Sequence, residues 1–434
     1  MQATTINAYA SRPVFRGLSA LALAALLIAA LAAAPIASVW ANLFTGGTGD
    51  TWSHLAATVL PEYVANTLWL CLGVGCGVIL VGVSTAWLVV MHDFPGRHIF
   101  EWALVLPLAV PAYVMAYTYT DLLQFVGPVQ SGLRESFGWE AGEYWFPDVR
   151  TLGGAIVMFI FVLYPYVYLL VRTAFLERAT GMLEAGRSLG LGPWESFFRI
   201  SLPLARPALA AGAALALMET LADYGTAAYF AVQTFTTGIY RAWFSLGDRA
   251  AAAQLSAALL SFVVLVLLLE RMSRGRARFH NTTGRNRPQP GRRLSGFKAA
   301  IAMLVCALPL LIGFLVPAGI LLDMALTEGD AQFGARFLQL AGNSFTLAAL
   351  TALLAMGIAV LLAYSARMSR QGWPQLMNRF VGLGYAVPGS VIAVGVLIPV
   401  TRLDNWLAAW ITSWSGANPG LLLTGGIAAL VYAY

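Results

Sequence analysis

The sequence predicts an all-α integral membrane protein built from two related multi-span helical bundles. Three observations carry that prediction. Of 434 residues, 59% are hydrophobic and only 11% are charged, against about 25% charged in a soluble domain, so the chain lacks the polar surface of a water-facing fold. Apolar runs recur along it, and a run of roughly 18 residues or more is long enough to cross a bilayer core as a helix. The runs are continuously apolar and do not alternate with period two, which selects helices over a barrel.

The elements follow in order. Gly17 to Trp40 is too long for the apolar core of a cleavable signal peptide and is read as a first spanning helix. The second span, 66–91, opens at Asn66 and carries Gly73, Gly75 and Gly77. These glycines suit close helix packing; they are not a nucleotide-binding loop, because no strand precedes them. Further spans are expected at 100–125, 152–177, 205–231 and 251–270. After a polar break come spans at 299–322, 344–368 and 380–400, and a last one from about Gly420. Pro107, Pro111, Pro165 and Pro388 fall inside spans, where neighbouring helices must satisfy the carbonyls they free. Cys71, Cys76 and Cys306 lie in apolar runs and read as small packing residues, with no disulfide framework. The four histidines, His54, His92, His98 and His280, show no metal-ligand spacing, so no cofactor or metal site is expected.

Sidedness follows from Lys and Arg. With the polar loop around Glu184 on the cytoplasmic side, that side holds 20 basic residues and the other side six: Arg134, Arg150, Arg241, Arg249, Arg336 and Arg402. The positive-inside rule demands such an asymmetry and the reverse topology would invert it. The N-terminus is then cytoplasmic. The segment 271–298 holds eight Arg and Lys298 with no acid. It reads as a flexible basic connector lying on anionic lipid headgroups, not as a nucleic-acid-binding element, because it sits between two spans.

On either side of this connector the chain resembles itself. Asn66-Thr67 matches Asn343-Ser344, Ala86-Trp87 matches Ala363-Tyr364, and Ala109-Val110-Pro111 matches Ala386-Val387-Pro388, all at an offset of 277. The expected organisation is a first bundle of about six spans (1–270), a basic cytoplasmic linker (271–298) and a second bundle (299–434). At that offset the counterpart of Glu184 falls near position 461, beyond Tyr434, so the second bundle is expected to be incomplete in this chain.

The Glu184 loop is the first candidate site. Thr180 to Leu189 has good helix formers and stops at Gly190. Gly192-Pro193 restarts a helix through Ile200, and Leu202-Pro203 is expected to end that piece and turn the chain into the next span. Two short helices with a glycine elbow are predicted beneath the membrane. Ala185 and Gly186 permit close approach, Glu184 and Arg187 offer charged contacts, and Leu189, Trp194 or Phe198 would enter a partner's groove. On these residues alone, an interfacial amphipathic linker without a partner fits equally.

The second candidate lies in the fifth span. Glu219 and Asp223 are four apart and would share a helix face, with Tyr224 beside them. Two carboxylates at membrane depth cost several kcal/mol unless they meet water, a partner or a cation. A pathway role and bonding to neighbouring helices are both open.

The spacing E-A-x-x-x-x-G (Glu184, Ala185, Gly190), nine residues, then Ile200-Ser201-Leu202-Pro203 resembles the EAA motif of permease subunits of binding-protein-dependent ABC importers. It departs from that pattern where Gly186 replaces a customary alanine, at a helix cost of about 1 kcal/mol. The resemblance implies a type I ABC importer permease-like fold in a cell inner membrane. It also implies that Glu184, Ala185, Gly186, Arg187, Gly190, Ile200, Leu202 and Pro203 form a coupling helix, docked on one of two cytoplasmic ATPase subunits. A periplasmic or extracellular substrate-binding protein would deliver cargo. The chain has no G-x-x-x-x-G-K-[ST], so it is expected to be a transport subunit and not the ATP-hydrolysing enzyme. The segments Leu217–Thr226 with Tyr229-Phe230, and Thr234–Trp243, are similar to fused Fe(III)-type ABC importer permeases, which implies ferric iron as cargo. A polyamine, thiamine, sulfate or an organophosphonate remains within the class. An ion-gradient-driven secondary transporter, with Glu219 and Asp223 as its ion sites, stands outside it.

Overall fold

The structure, a computed structural model, describes residues 20–42, 49–140, 142–274, 292–327, 334–369, 372–424 and 426–434. Among these residues the architecture is helical, with one two-residue parallel ladder pairing His92–Asp93 with Arg292–Arg293. Among the described residues, eight helices are long and apolar enough to cross a membrane, or nine if one bent pair counts as a single span.

Two compact units are distinguishable. The described residues of 39–332 and 386–394 form the first. Its centre is the packing of the helices Leu60–Met91, Leu152–Ser188, Leu202–Ala222 and Arg249–Arg274. Small residues set the closest approach. A Cβ on Gly73 or Gly77 would lie 2.8 Å or 2.1 Å from the Cδ1 atoms of Ile156 and Ile160, so these two glycines let the second span meet the Leu152–Ser188 helix. Gly75, by contrast, faces Leu217 at an ordinary 3.6 Å.

The span expected at 100–125 is broken. Arg97–Ala103 runs into a 3-10 turn, Leu106–Ala109, and a new helix, Ala112–Leu123, leaves at a 90° bend. Pro107 and Pro111 cause this, because neither has an N–H and each ring crowds the preceding turn. The carbonyl of Leu104 would take its 3-10 bond from residue 107, a proline. Tyr164 Oη donates to it instead, at 2.9 Å. Val105 N–H turns to the carbonyl of Trp102, leaving that of Glu101, which Tyr168 Oη reaches at 2.9 Å. The same remedy recurs where Phe297–Leu310 passes through a π-turn (Leu311–Leu315) into Val316–Thr327. In that turn Val316 N–H bonds Leu311, and the next donor, residue 317, is proline. Tyr119 Oη donates to the stranded Ile312 carbonyl at 2.8 Å.

The fifth span also differs from expectation. Its helix runs continuously from Pro193 to Ala222 and ends there, well short of 231. Asp223 has extended backbone, and its Oδ1 accepts the Thr226 N–H at 2.7 Å, opening the short helix Gly225–Tyr229. An acceptor beside free N–H groups favours a helix start over helix continuation. Of the basic linker, 275–291 lies outside the described residues, and Arg292–Arg293 is pinned by the ladder to His92–Asp93, with Leu294 N–H bonded to the Asp93 carbonyl at 2.9 Å.

The second unit contains the described residues of 1–38, 333–385 and 395–434. Its helices are Ala20–Asn42, Ala335–Met368, Trp373–Gly382, most of Gly389–Ser415 and Ile427–Ala433. Pro35 strands the Leu31 carbonyl, and Tyr432 Oη supplies the bond at 2.7 Å. The expected last span is a seven-residue helix, Ile427–Ala433, preceded by irregular backbone. Fully buried Asp404 holds that backbone by accepting the N–H groups of Leu422, Leu423 and Thr424. The offset of 277 reappears in secondary structure. The 3-10 turn Leu106–Ala109 has its counterpart at Leu383–Ala386, and the helix starting at Ala112 has its counterpart starting at Gly389.

Gly77→Val should overpack the seam at Ile160 and cost roughly 1–3 kcal/mol. Gly357, with nothing within 4 Å, should tolerate the same change. Thermal unfolding in detergent checks this: the Tm of Gly77→Val falls by several degrees, and that of Gly357→Val stays at the wild-type value.

Candidate functional sites: the Gly190 elbow and the Glu219–Asp223 cavity

The helix Leu152–Ser188 runs unbroken for 37 residues, about 55 Å. The membrane-length segment and the first part of the motif are therefore one rod. Its end is a glycine stop. Gly190 has φ +83°, and Leu191 N–H bonds back to the Gly186 carbonyl at 3.0 Å, a Schellman closure. Gly192 then caps the next helix. Its N–H meets Glu195 Oε2 at 3.2 Å, and Pro193 occupies the first turn.

Pro203 does not end this second piece, as the sequence reading expected. The chain passes through a π-turn, Phe197–Ser201, and continues as the helix Leu202–Ala222. Leu202 N–H reaches the Phe197 carbonyl five residues back. The wider turn gives the Pro203 ring the room that a tight α-turn denies it. The loop is thus the prolonged end of one long helix and the prolonged start of the next, joined at an elbow, rather than two separate short helices.

The two parts of the motif touch. Gly186 is buried, and a Cβ there would lie 2.6 Å from Ile200 Cδ1 and 3.3 Å from Leu191 Cδ1. Ile200 and Leu202 are half-buried, whereas Gly190 and Pro203 are exposed. The side chains of Glu184, Ala185 and Arg187 lie outside the described residues. Inward, Phe197 is 9% exposed and packs against Trp87 at 4.7 Å, which in turn meets Phe175 at 5.5 Å. Outward, Leu189 and Trp194 are 82% and 71% exposed, and Trp194 stacks on exposed Phe198 at 6.3 Å. Aromatic side chains raised on a rigid, anchored elbow have the character of a binding surface.

Glu219 and Asp223 share a cavity of about 260 Å³, although Asp223 lies beyond the helix end. Leu108, Val110, Pro111 and Ala112, from the broken span, form one wall. Tyr113 and Tyr166 add phenols that the sequence reading missed, and Tyr166 Oη lies 3.5 Å from Glu219 Oε1. Their signal was indirect: Tyr113 follows a span-breaking proline, and Tyr166 follows Pro165. No Lys or Arg lines this cavity, so its field favours a cation. Tyr224 is placed elsewhere. It stacks on Tyr240 at 3.9 Å and lines a separate recess of about 360 Å³ with Arg241 and Phe244. Among the described residues no group of three or more His, Cys, Asp or Glu side chains gathers as a metal site.

Gly190→Ala would force a side chain into left-handed backbone at a cost of roughly 1–2 kcal/mol, loosening the elbow. Limited trypsin digestion should then cut at Arg187 or Arg199 about five- to thirty-fold faster than in the wild type, the same factor by which such an energy shifts a local opening.

Residues 78–278 match the family described as binding-protein-dependent transport system inner membrane component. The Fe(3+)-transport system permease protein FbpB 2 of Haemophilus influenzae is 30% identical over 350 residues, covering 78% of this chain and 63% of the relative. A probable sulfate transport system permease protein of Chlorokybus atmophyticus is 32% identical over 145 residues, 33% of this chain and 48% of the relative. The molybdenum transport system permease protein ModB of Escherichia coli (strain K12) is 28% identical over 206 residues, 45% of this chain and 87% of the relative. The chain thus spans less than two thirds of the length of the first two relatives. Residues 78–278, which hold both candidate sites, are thus similar to the inner membrane components of binding-protein-dependent transport systems.

Proposed function

We propose that this chain is the transmembrane permease of an ATP-driven importer in a cell inner membrane, with a cytoplasmic N-terminus, and that its cargo is ferric iron. The single observation that supports the cargo is the cavity between the broken span and the end of the fifth span. It is lined by two carboxylates and two phenols with no basic residue. Hard oxygen donors suit a hard cation, and a wall of carboxylates repels sulfate and molybdate, the oxyanions named for other relatives. Two carboxylates without a gathered ligand set suit passage better than storage.

The elbow supports the other half of the reading. Leu189, Trp194 and Phe198 form an exposed apolar surface at the end of the Leu152–Ser188 rod. The same rod contributes Phe159, Val162, Leu163 and Tyr166 to the cavity wall. A cytoplasmic ATPase subunit gripping the elbow, one of a pair in the assembled importer, would therefore act directly on the pathway. ATP hydrolysis belongs to that subunit, and a substrate-binding protein supplies cargo on the opposite face. The 20 to 6 distribution of Lys and Arg supports this sidedness.

Two measurements test the reading. The chain, expressed with an ABC ATPase subunit and a substrate-binding protein from the same genome, should co-purify with the ATPase. Trp194→Asp should abolish that association, and a wild-type chain that retains no ATPase would sink the proposal in favour of an ion-gradient transporter. In cells, Glu219→Gln with Asp223→Asn should lower uptake of radioactive Fe(III) about tenfold or more, equivalent to about 1.4 kcal/mol or more. Asn retains the oxygen that accepts the Thr226 N–H, so the helix start at Gly225 is preserved. Undiminished iron uptake, or wild-type uptake of molybdate instead, would overturn the assignment of cargo.

A further inference from the structure

One face of the Leu152–Ser188 rod carries Tyr164, Tyr168 and Arg172, spaced four residues apart and so stacked along a single stripe. All three grip the same short piece of the broken span. Tyr164 Oη donates to the Leu104 carbonyl at 2.9 Å, Tyr168 Oη to the Glu101 carbonyl at 2.9 Å, and the Arg172 guanidinium pairs with the Glu101 carboxylate. Both tyrosines are fully buried. The two carbonyls are the ones that the 3-10 turn and Pro107 leave without a backbone donor, so in an apolar surround they have a strong need for these partners. The gripped piece, Arg97–Ala103, leads within a few residues to Val110, Pro111 and Ala112, which wall the Glu219–Asp223 cavity. The other end of the rod is the Gly190 elbow.

We propose that Tyr164, Tyr168 and Arg172 with Glu101 form a strap that makes the half-helix Arg97–Ala103 move with the rod, so that displacement of the elbow shifts the Val110–Ala112 wall of the cavity. They are positioning residues: none lines the cavity or the exposed face of the elbow. The inference rests on the importer reading above. An α-helix is stiff along its axis, whereas a broken span held only by lipid and loose packing has no reason to follow it. Three bonds on one stripe remove that freedom. Tyr119 uses the same chemistry, donating to the Ile312 carbonyl, but joins other elements and serves as the internal control.

The experiment uses the assembled importer in proteoliposomes, with Fe(III)-loaded binding protein outside and ATP inside, measuring iron carried and ATP hydrolysed together. In Tyr164→Phe/Tyr168→Phe, iron carried per ATP should fall at least about fivefold while ATP hydrolysis stays within about twofold of wild type. Tyr119→Phe loses an equivalent bond and should leave that ratio unchanged. If the double variant does not assemble, Tyr168→Phe alone is measured, with a fall of about twofold or more expected. A ratio equal to wild type in the strap variants, or an equal fall in Tyr119→Phe, overturns the strap. A wild-type complex that holds no ATPase or carries no iron overturns the importer reading instead.

Discussion

Every backbone carbonyl placed in an apolar surround must find a donor, and the architecture of this chain depends on how it meets that demand where prolines interrupt its helices. Regular helix solves the problem internally, and proline removes the solution one turn back. At Leu104, Ile312 and Leu31 the missing donor is replaced by a tyrosine hydroxyl, from Tyr164, Tyr119 and Tyr432 respectively. At Phe161, whose α-helical donor would be Pro165, the carbonyl instead faces Gly313 so closely that a Cβ there would lie 2.5 Å away. Buried Tyr119, Tyr164 and Tyr168 are thus hydrogen-bond donors first and packing volume second.

Once the breaks are stabilised, they become usable. Irregular backbone at membrane depth is tolerated where it lines a cavity or is covered by protein. The Val110–Ala112 break does so beside Glu219 and Asp223. The carboxylates sit in a cavity shaped by prolines, and the prolines are held by tyrosines. The same rod that provides two of those tyrosines, Tyr164 and Tyr168, also ends in the glycine elbow, so the carboxylate cavity and the exposed elbow share one mechanical element.

The elbow's logic lies in contact between distant letters of its motif. Gly186 and Ile200 are fourteen positions apart and meet at the inner corner of the turn, with Leu191 folded over them. A glycine that looks like a local weakening of a helix is a contact position. Because the clashing atom is the mobile end of Ile200, an alanine there would displace one methyl group and leave the backbone in place. Phe197 fastens the corner to Trp87 and leaves Trp194 and Phe198 outside.

By itself the sequence determined the helical membrane class, most of the spans and the glycine stop at the elbow, and it supplied the sidedness, the internal repeat and both candidate sites as expectations. Each of these depends on quantities that are local or additive: hydropathy over a window, the sum of Lys and Arg, a fixed motif spacing, the helix-stopping geometry of Gly190. It misjudged what depends on how a chain break is repaired. Asp223 was read as one face of a continuous helix and is instead the acceptor that starts the next one. Pro203 was read as a terminator and is absorbed by a π-turn. Tyr224 was grouped with the carboxylates and opens onto another recess. Tyr113 and Tyr166 entered the cavity unannounced. Only the tertiary structure decided these points, because whether a proline breaks, bends or merely widens a helix depends on which distant donor arrives at the stranded carbonyl, and nothing in the local sequence names that donor.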